Sequence, residues 1–259
     1  MRLSRVRPWV VGATVVSLGL SAAGCGPAGT ARGKDGPKGT ETSEIPSAAA
    51  SGPAAKTRPE LVGMLVGPKD LPAYVVATHE RYRAFALATT FGSTEAACSP
   101  LSDTQAGVGV GAPAEAAAAK AAGRPEGAAP SGATDEERWA ATDAPGAAIV
   151  ISLSSYGGGG AVEALAELRK AAVTCAAGYA TAHDEDAGKV TRIAPTASVV
   201  AGDESVAYTV ERNVGGDEVI SQLVVVRKGN VLASFTATPS WGRAEQPRDI
   251  IQTQIRKLD

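Results

Sequence analysis

Two histidines and a run of carboxylates are the side chains best suited to catalysis or metal binding. His183-Asp184-Glu185-Asp186 offers the oxygen ligands that Ca²⁺ prefers, but it lacks the D-x-[DN]-x-[DN]-G spacing of an EF-hand loop. No motif places a nucleophile beside His79, and neither G-x-S-x-G nor H-E-x-x-H occurs in the sequence. We therefore expect a solvent-exposed turn at 183–186, and a protein without metal, cofactor or catalytic residues.

A glycine-rich connection at 154–160 (SSYGGGG) could bind an anion or another polar ligand. It lies between a predicted strand and a predicted helix, where backbone N–H groups and the helix dipole favour negative charge. A P-loop would continue with Lys and Ser or Thr, whereas Ala161 and Val162 follow the last glycine. The alternative is a flexible connector. If a ligand binds here, Ser155 and Tyr156 are the side chains that would contact it.

Two tryptophans are the remaining candidates for ligand contact. Trp139 and Trp241 each have an arginine neighbour, Arg138 and Arg243. An indole at a cleft could stack on a sugar or a lipid headgroup, and partial burial in the core is the alternative.

Composition and charge exclude several classes of protein. The 259 residues include 25 Lys and Arg against 27 Asp and Glu, so no positive excess is available to bind nucleic acid. Three Phe, three Trp and five Tyr stand against 30 Gly and 16 Pro, which predicts one ordered domain with long disordered stretches. Three cysteines and two histidines are too few for a protein with several zinc or iron–sulfur sites.

Residues 1–24 have the organisation of a signal peptide. Three arginines precede an apolar run at 9–20, which is shorter than the ~20 residues that span a bilayer. The segment LSAAGC at 20–25 resembles the lipobox of bacterial lipoproteins, in which the chain is cut before a diacylated cysteine. This resemblance implies that Cys25 carries palmitate-type acyl chains and holds the protein on the outer face of the cell membrane. A simple secretory signal, or a structural cysteine, is the alternative.

The mature chain divides into a tether and one domain. Residues 25–58 contain the acylated cysteine and a segment rich in Gly, Pro, Ala, Ser and Thr, which cannot bury enough apolar surface to order itself. Residues 59–259 carry the periodic patterns. Within them, 111–135 is a second low-complexity run, which we interpret as an exposed insertion with a transient helix at 114–122.

The periodic patterns predict an α+β fold. The hairpins between the last three strands contain Gly-Gly-Asp and Gly-Asn, which tolerate positive φ. Strands joined by hairpins, with helices between and after them, predict a single domain with a mostly antiparallel sheet and helices packed on one face. The expected elements are helices that begin at Pro59 and Pro247, a helix at 161–176, and strands at 81–90, 147–153, 205–212, 218–227 and 231–238.

Cys98 and Cys175 remain once Cys25 is acylated. Two cysteines in one extracytoplasmic domain usually pair, and this bond would join the turn at 98–101 to the helix that carries Cys175. Two free buried thiols are the alternative.

Short motifs in the domain resemble a known family. Glu60-Leu61, Lys69-Asp70-Leu71-Pro72, Cys98-Ser99-Pro100 and a helix that ends in Cys175 are similar to the extracellular sensor domain of PknH-type mycobacterial serine/threonine kinases. Actinobacterial lipoproteins carry similar domains without a kinase. The resemblance covers about 59–259 and implies a mixed α/β domain with a cleft for an unidentified envelope ligand and no catalytic activity. The family typically has two disulfides, whereas this chain offers one pair.

The leading hypothesis is a lipid-anchored extracytoplasmic binding or sensing domain, non-catalytic, for a small-molecule or envelope ligand. The alternative is a structural or protein–protein interaction lipoprotein of the cell envelope, which would use the sheet face and could have a membrane protein as its partner. A hydrolase is the third hypothesis, and no constellation of residues supports it.

Overall fold

The computed structural model describes residues 52–77, 92–123, 147–181 and 189–259. The signal peptide, Cys25, Trp139, and the segments predicted at 81–90 and 183–186 lie outside these ranges. All described residues belong to one compact unit, Ser47–Asp259. Within the described ranges, no helix is both long enough and apolar enough to cross a bilayer.

Four helices and eight strands form the domain over the described residues. A 3₁₀ turn at Ala96–Cys98 leads directly into the second helix. The helices are α1 (Arg58–Met64), α2 (Ser99–Gln105), α3 (Gly160–Thr174) and α4 (Arg248–Arg256). The strands are β1 (Tyr74–Ala77), β2 (Glu115–Gly123), β3 (Ala147–Ser155), β4 (Lys189–Pro195), β5 (Glu204–Val214), β6 (Asp217–Lys228), β7 (Val231–Pro239) and β8 (Gly242–Arg243).

The strands form one sheet in the order β1-β2-β3-β7-β6-β5-β4. All neighbours in this order pair antiparallel, and β8 pairs parallel with β6. The two predicted hairpins join β5 to β6 and β6 to β7, with Gly215, Gly216 and Gly229 at positive φ. The predicted strands at 147–153, 205–212, 218–227 and 231–238 are confirmed, and so is the α+β class with its mostly antiparallel sheet.

The interior strand β6 shows why helices cover both faces of the sheet. Val224 and Val226 pack in one hydrophobic cluster with residues of α1 and α4, a surface that we call the α1/α4 face. Leu223 and Val225 point to the opposite α2/α3 face. We expected helices on one face only, and this placement was wrong. The continuous apolar run at 223–226 is typical of a strand that is buried on both sides, whereas a solvent-exposed face would have required alternating polar residues.

The alanine-rich segment is a strand rather than an exposed insertion. β2 lies between β1 and β3, and Ala119 pairs with Ile151 at the middle of the ladder. Ala117, Ala119 and Ala121 are buried with Leu61 of α1 on the α1/α4 face. The expectation of an exposed insertion over 111–135 was therefore wrong for 115–123. Pairing on both sides outweighs the weak strand propensity of alanine, and the small side chains leave room for α1.

The α2/α3 face is closed by a covalent link. Leu165 and Leu168 of α3 are buried there, and Cys175, just after the helix, is bonded to Cys98 in a disulfide with a Cα–Cα distance of 5.9 Å. The predicted helix at 161–176 and the predicted pairing are confirmed. The turn expected at 98–101 is instead the beginning of α2, because Pro100 occupies its first turn, where a missing N–H costs nothing.

Candidate ligand-binding site

An open cavity of about 520 Å³ lies at one end of the sheet. Its wall includes the last residue of β2 (Gly123), the first of β3 (Ala147) and the last of β7 (Pro239). Because these neighbouring strands are antiparallel, those three strand ends lie side by side at the same end of the sheet. The volume lies within the range of small-molecule sites, about 300–1,000 Å³.

The segment after β7 builds the outer wall of the cavity. It turns at Gly242, whose φ of 68° is accessible to glycine at no steric cost, and then pairs as β8 with β6. The backbone N–H of Ala244 donates to the carbonyl of Ile220 at 2.9 Å. This pairing holds the preceding Trp241 at the rim, where 63% of its surface is exposed.

The cavity has an apolar floor and a polar rim. Ile149, Ala237 and Ala244 are buried and form part of the floor. The rim carries five polar or aromatic side chains that can contact a ligand. They are Tyr74, Trp241, Arg243, Glu245 and Asp249.

Tyr74 and Asp249 form a hydrogen-bonded pair across the rim. The Tyr74 hydroxyl donates to Oδ2 of Asp249 at 2.9 Å. Partial burial, and then the hydrogen bond and charge of Asp249, raise the pKa of Tyr74 to about 12. The phenol therefore stays protonated at physiological pH. Asp249 lies in the first turn of α4, where a carboxylate interacts favourably with the helix dipole.

The side chain of Gln246 holds the opposite side of the cavity wall in place. Its Nε2 donates to the carbonyl of Ala197 at 2.7 Å, which ties the segment before α4 to the connection between β4 and β5. The cavity wall is thus held by backbone pairing on one side and by a side-chain amide on the other. A site built in this way is largely formed before a ligand arrives.

The lining carries groups that can bind a small polar molecule. None of the described residues that line the cavity is a histidine or a cysteine. Among the residues that the structure describes, no group of three or more His, Cys, Asp or Glu is placed to hold a metal ion. One guanidinium and two carboxylates surround an aromatic surface, an arrangement that can orient a small polar molecule with one apolar side.

Of the four predicted ligand contacts, Trp241 lies at this cavity. Trp139 belongs to the connection between Gly123 and Ala147, outside the described residues. Sequence reasoning missed Tyr74, Glu245 and Asp249 as site residues. They belong to different elements, and only the fold of the segment after β7 brings them together.

Ser155 and Tyr156 lie at the other end of β3, inside the domain. The Ser155 hydroxyl accepts a hydrogen bond from the backbone N–H of Lys56 at 2.7 Å. The Tyr156 hydroxyl donates to the carbonyl of Val110 at 2.8 Å, and burial is the main cause of its raised pKa of about 12. Both side chains are buried and engaged within the domain. We expected these two side chains to contact a ligand, whereas in the structure both hydroxyls bond to backbone groups of the domain.

The glycine-rich connection is covered by the chain itself. Nδ2 of Asn230 donates to the carbonyl of Ala54 at 2.8 Å and to that of Tyr156 at 2.9 Å. Gly52 lies so close that a Cβ added to it would be 2.6 Å from Cα of Gly158. Residues 52–54, in the described part of the predicted tether, thus pack against the connection that was a candidate for anion binding.

The fold and site define a class: an antiparallel α+β domain with helices on both faces and an open cavity at one end of its sheet. A search of solved structures finds a similarity to the extracellular domain of PknH from Mycobacterium tuberculosis, with a TM-score of 0.45 and 10% sequence identity. The match covers 80% of this chain and 96% of that chain. The resemblance predicted from the sequence motifs was to the extracellular domain of the same kind of kinase. No protein-family model and no curated protein sequence matches the chain.

Proposed function

We propose that this protein is a lipid-anchored, extracytoplasmic binding or sensing protein that takes a small ligand into the cavity at the end of its sheet, without catalysis. The observation that carries the proposal is the cavity itself. It combines a buried apolar floor with an exposed indole, a guanidinium and two carboxylates. Such a combination of apolar surface with a few convergent polar groups is typical of small-molecule sites.

Independent features of the chain support the proposed location. The signal-peptide pattern at 1–24 leads to the lipobox-like cysteine at 25. The Cys98–Cys175 disulfide supports folding in an oxidising compartment, because such bonds persist mainly outside the cytoplasm. A single pair of acyl chains with a flexible tether would hold the domain near the membrane without burying it.

The alternative function, a structural or protein–protein interaction lipoprotein, was expected to use an exposed face of the sheet. It required an accessible sheet face, but helices pack on both faces of the sheet. No described feature favours this alternative over ligand binding.

Acylation of Cys25 is tested by metabolic labelling. The full chain is expressed in an actinobacterial host fed an alkyne fatty acid, beside Cys25→Ser and the control Ser47→Ala. We expect label and membrane retention for the wild type and the control, and neither for Cys25→Ser. Equal labelling of all three proteins would contradict the anchor.

Ligand binding is tested by native mass spectrometry of the full chain in detergent, after incubation with a low-molecular-mass extract of the host envelope. We expect a mass excess that disappears on denaturation and is lost in Trp241→Ala. The control is Val173→Ala, since Val173 is exposed on α3 on the opposite face of the sheet. A bare native mass for the wild type would contradict the binding function.

A further inference from the structure

Trp241 presents a rigid apolar plane at the mouth of the cavity. The residue lies between the end of β7 and β8, and both flanking strands are paired in the sheet. An indole that is 63% exposed leaves a large apolar surface in water. Planar aromatic surfaces of this kind pack well against the C–H face of a sugar ring, while the ring's hydroxyl groups point outward.

The other polar side chains at the rim can hydrogen-bond to the outward-pointing hydroxyl groups of a sugar. A hydroxyl is both a donor and an acceptor, so a site for several of them needs both kinds of partner. Arg243 supplies donors, while Glu245 and Asp249 supply acceptors. The Tyr74 hydroxyl orients Asp249 through its bond to Oδ2 at 2.9 Å, and a carboxylate has several lone pairs with which it can accept from a ligand as well. Hydrogen bonds to charged groups are stronger than those between neutral groups.

The charge of the lining favours a neutral ligand. Two carboxylates and one guanidinium leave a small negative excess at the rim, which opposes a phosphate or another anion. An ammonium ion would pair with the carboxylates, but it offers no acceptor to the Arg243 guanidinium. A neutral polyhydroxyl ring can bond to both, because each hydroxyl donates and accepts.

The cavity lies far from the place where the tether leaves the domain. Ala147, at one end of β3, lines the cavity, while Ser155, at the other end, binds the backbone of Lys56. The nine residues of β3 separate these points by about 26 Å. The docked segment therefore does not block the entry of a ligand into the cavity.

We propose that the cavity binds a neutral saccharide, with its ring stacked on Trp241 and its hydroxyls bonded to Arg243, Glu245 and Asp249. This inference rests on the proposed binding function and names its ligand class. The cavity is open, so a sugar ring within a longer glycan can enter without a free chain end.

The test uses a printed glycan array that carries neutral, anionic and amino sugars, probed with the full chain in detergent. The glycan that binds best is then titrated calorimetrically. We expect neutral glycans to bind, and at least about a tenfold loss of affinity in Trp241→Ala, because the stacking surface is removed. Glu245→Gln should weaken binding by a smaller factor, since the amide keeps one acceptor oxygen. The control Val173→Ala should bind as the wild type does.

The outcomes separate this inference from the proposed function. If no glycan binds but the native mass still shows a Trp241-dependent adduct, the saccharide is refuted and the binding function stands. If only anionic or amino sugars bind, the neutral class is refuted. If neutral glycans bind equally well to Trp241→Ala, the assignment of this cavity is refuted.

Discussion

Gln254 provides the sharpest test of how the cavity wall is held. It is fully buried on α4, and its amide bonds both ways to the end of α1. The backbone N–H of Val66 donates to its Oε1 at 2.9 Å, while its Nε2 donates to the carbonyl of Met64 at 2.8 Å. Since α1 ends at Met64, this amide satisfies backbone groups that the helix leaves without partners. We expect Gln254→Met, which keeps the side-chain length, to destabilise the domain.

The magnitude follows from the two groups that lose their partner. Val66 is fully buried, so its N–H can find no water, and leaving such a donor unsatisfied costs about 1–3 kcal/mol. The Met64 carbonyl lies in a partly buried residue and loses an ordinary hydrogen bond, at about 0.5–1.5 kcal/mol. Together we expect the free energy of unfolding to fall by about 1.5–4.5 kcal/mol. The effect reaches the site, because α4 carries Asp249 in its first turn.

The assay is urea unfolding of the mature chain, followed by far-UV circular dichroism. Gln252→Met is the matched control, since Gln252 is exposed on the same helix and its substitution should change stability by less than about 0.5 kcal/mol. If Gln254→Met unfolds at the same urea concentration as this control, with the same slope, the hydrogen bonds to α1 contribute nothing net and the reasoning is refuted.

Three further predictions concern other parts of the domain. Replacing Cys98 and Cys175 together by Ala should lower the free energy of unfolding by up to about 4.5 kcal/mol, because the bond closes a separation of 77 residues; a loss below about 1 kcal/mol in urea would contradict this. Burial lowers the pKa of Lys120 to about 8, so between pH 8 and about 10 the unfolded chain holds a proton that the folded chain has lost. Stability should therefore rise with pH in this window, by at most about 3 kcal/mol, and Lys120→Met should flatten the rise in urea unfolding at pH 7–10. Backbone amides of β2 that bond to β1 and β3 should exchange with deuterium as slowly as those of β6; exchange within seconds would show that 115–123 is not a strand.

The elements that sequence reasoning predicted are those with local signals. The stripe of Leu165 and Leu168 defined α3, and glycines at positive φ defined the hairpins on both sides of β6. The disulfide was predicted from the expected extracytoplasmic location and the number of cysteines alone. Apart from the two cysteines, which are 77 residues apart, the residues of each signal lie close together in the sequence, so no knowledge of distant contacts was needed.

The elements that sequence reasoning missed depend on contacts between residues that are far apart in the chain. Strand β2 contains little except alanine, and its identity depends on β1 and β3, which lie far from it along the chain. The four-residue strand β1 has no hairpin signal, because it pairs with a strand that begins 38 residues after it ends. The cavity combines the ends of β2 and β3 with the segment after β7, and its location therefore requires the same non-local pairing.

The docked segment before α1 lies away from the site. The backbone of Lys56 and that of Ala54 are bonded to the buried side chains Ser155 and Asn230, so the chain is attached to the domain before the first helix begins. This attachment lies at the end of β3 opposite the cavity. The docked residues 52–56 therefore leave the mouth of the cavity uncovered. The saccharide binding that we propose requires such access.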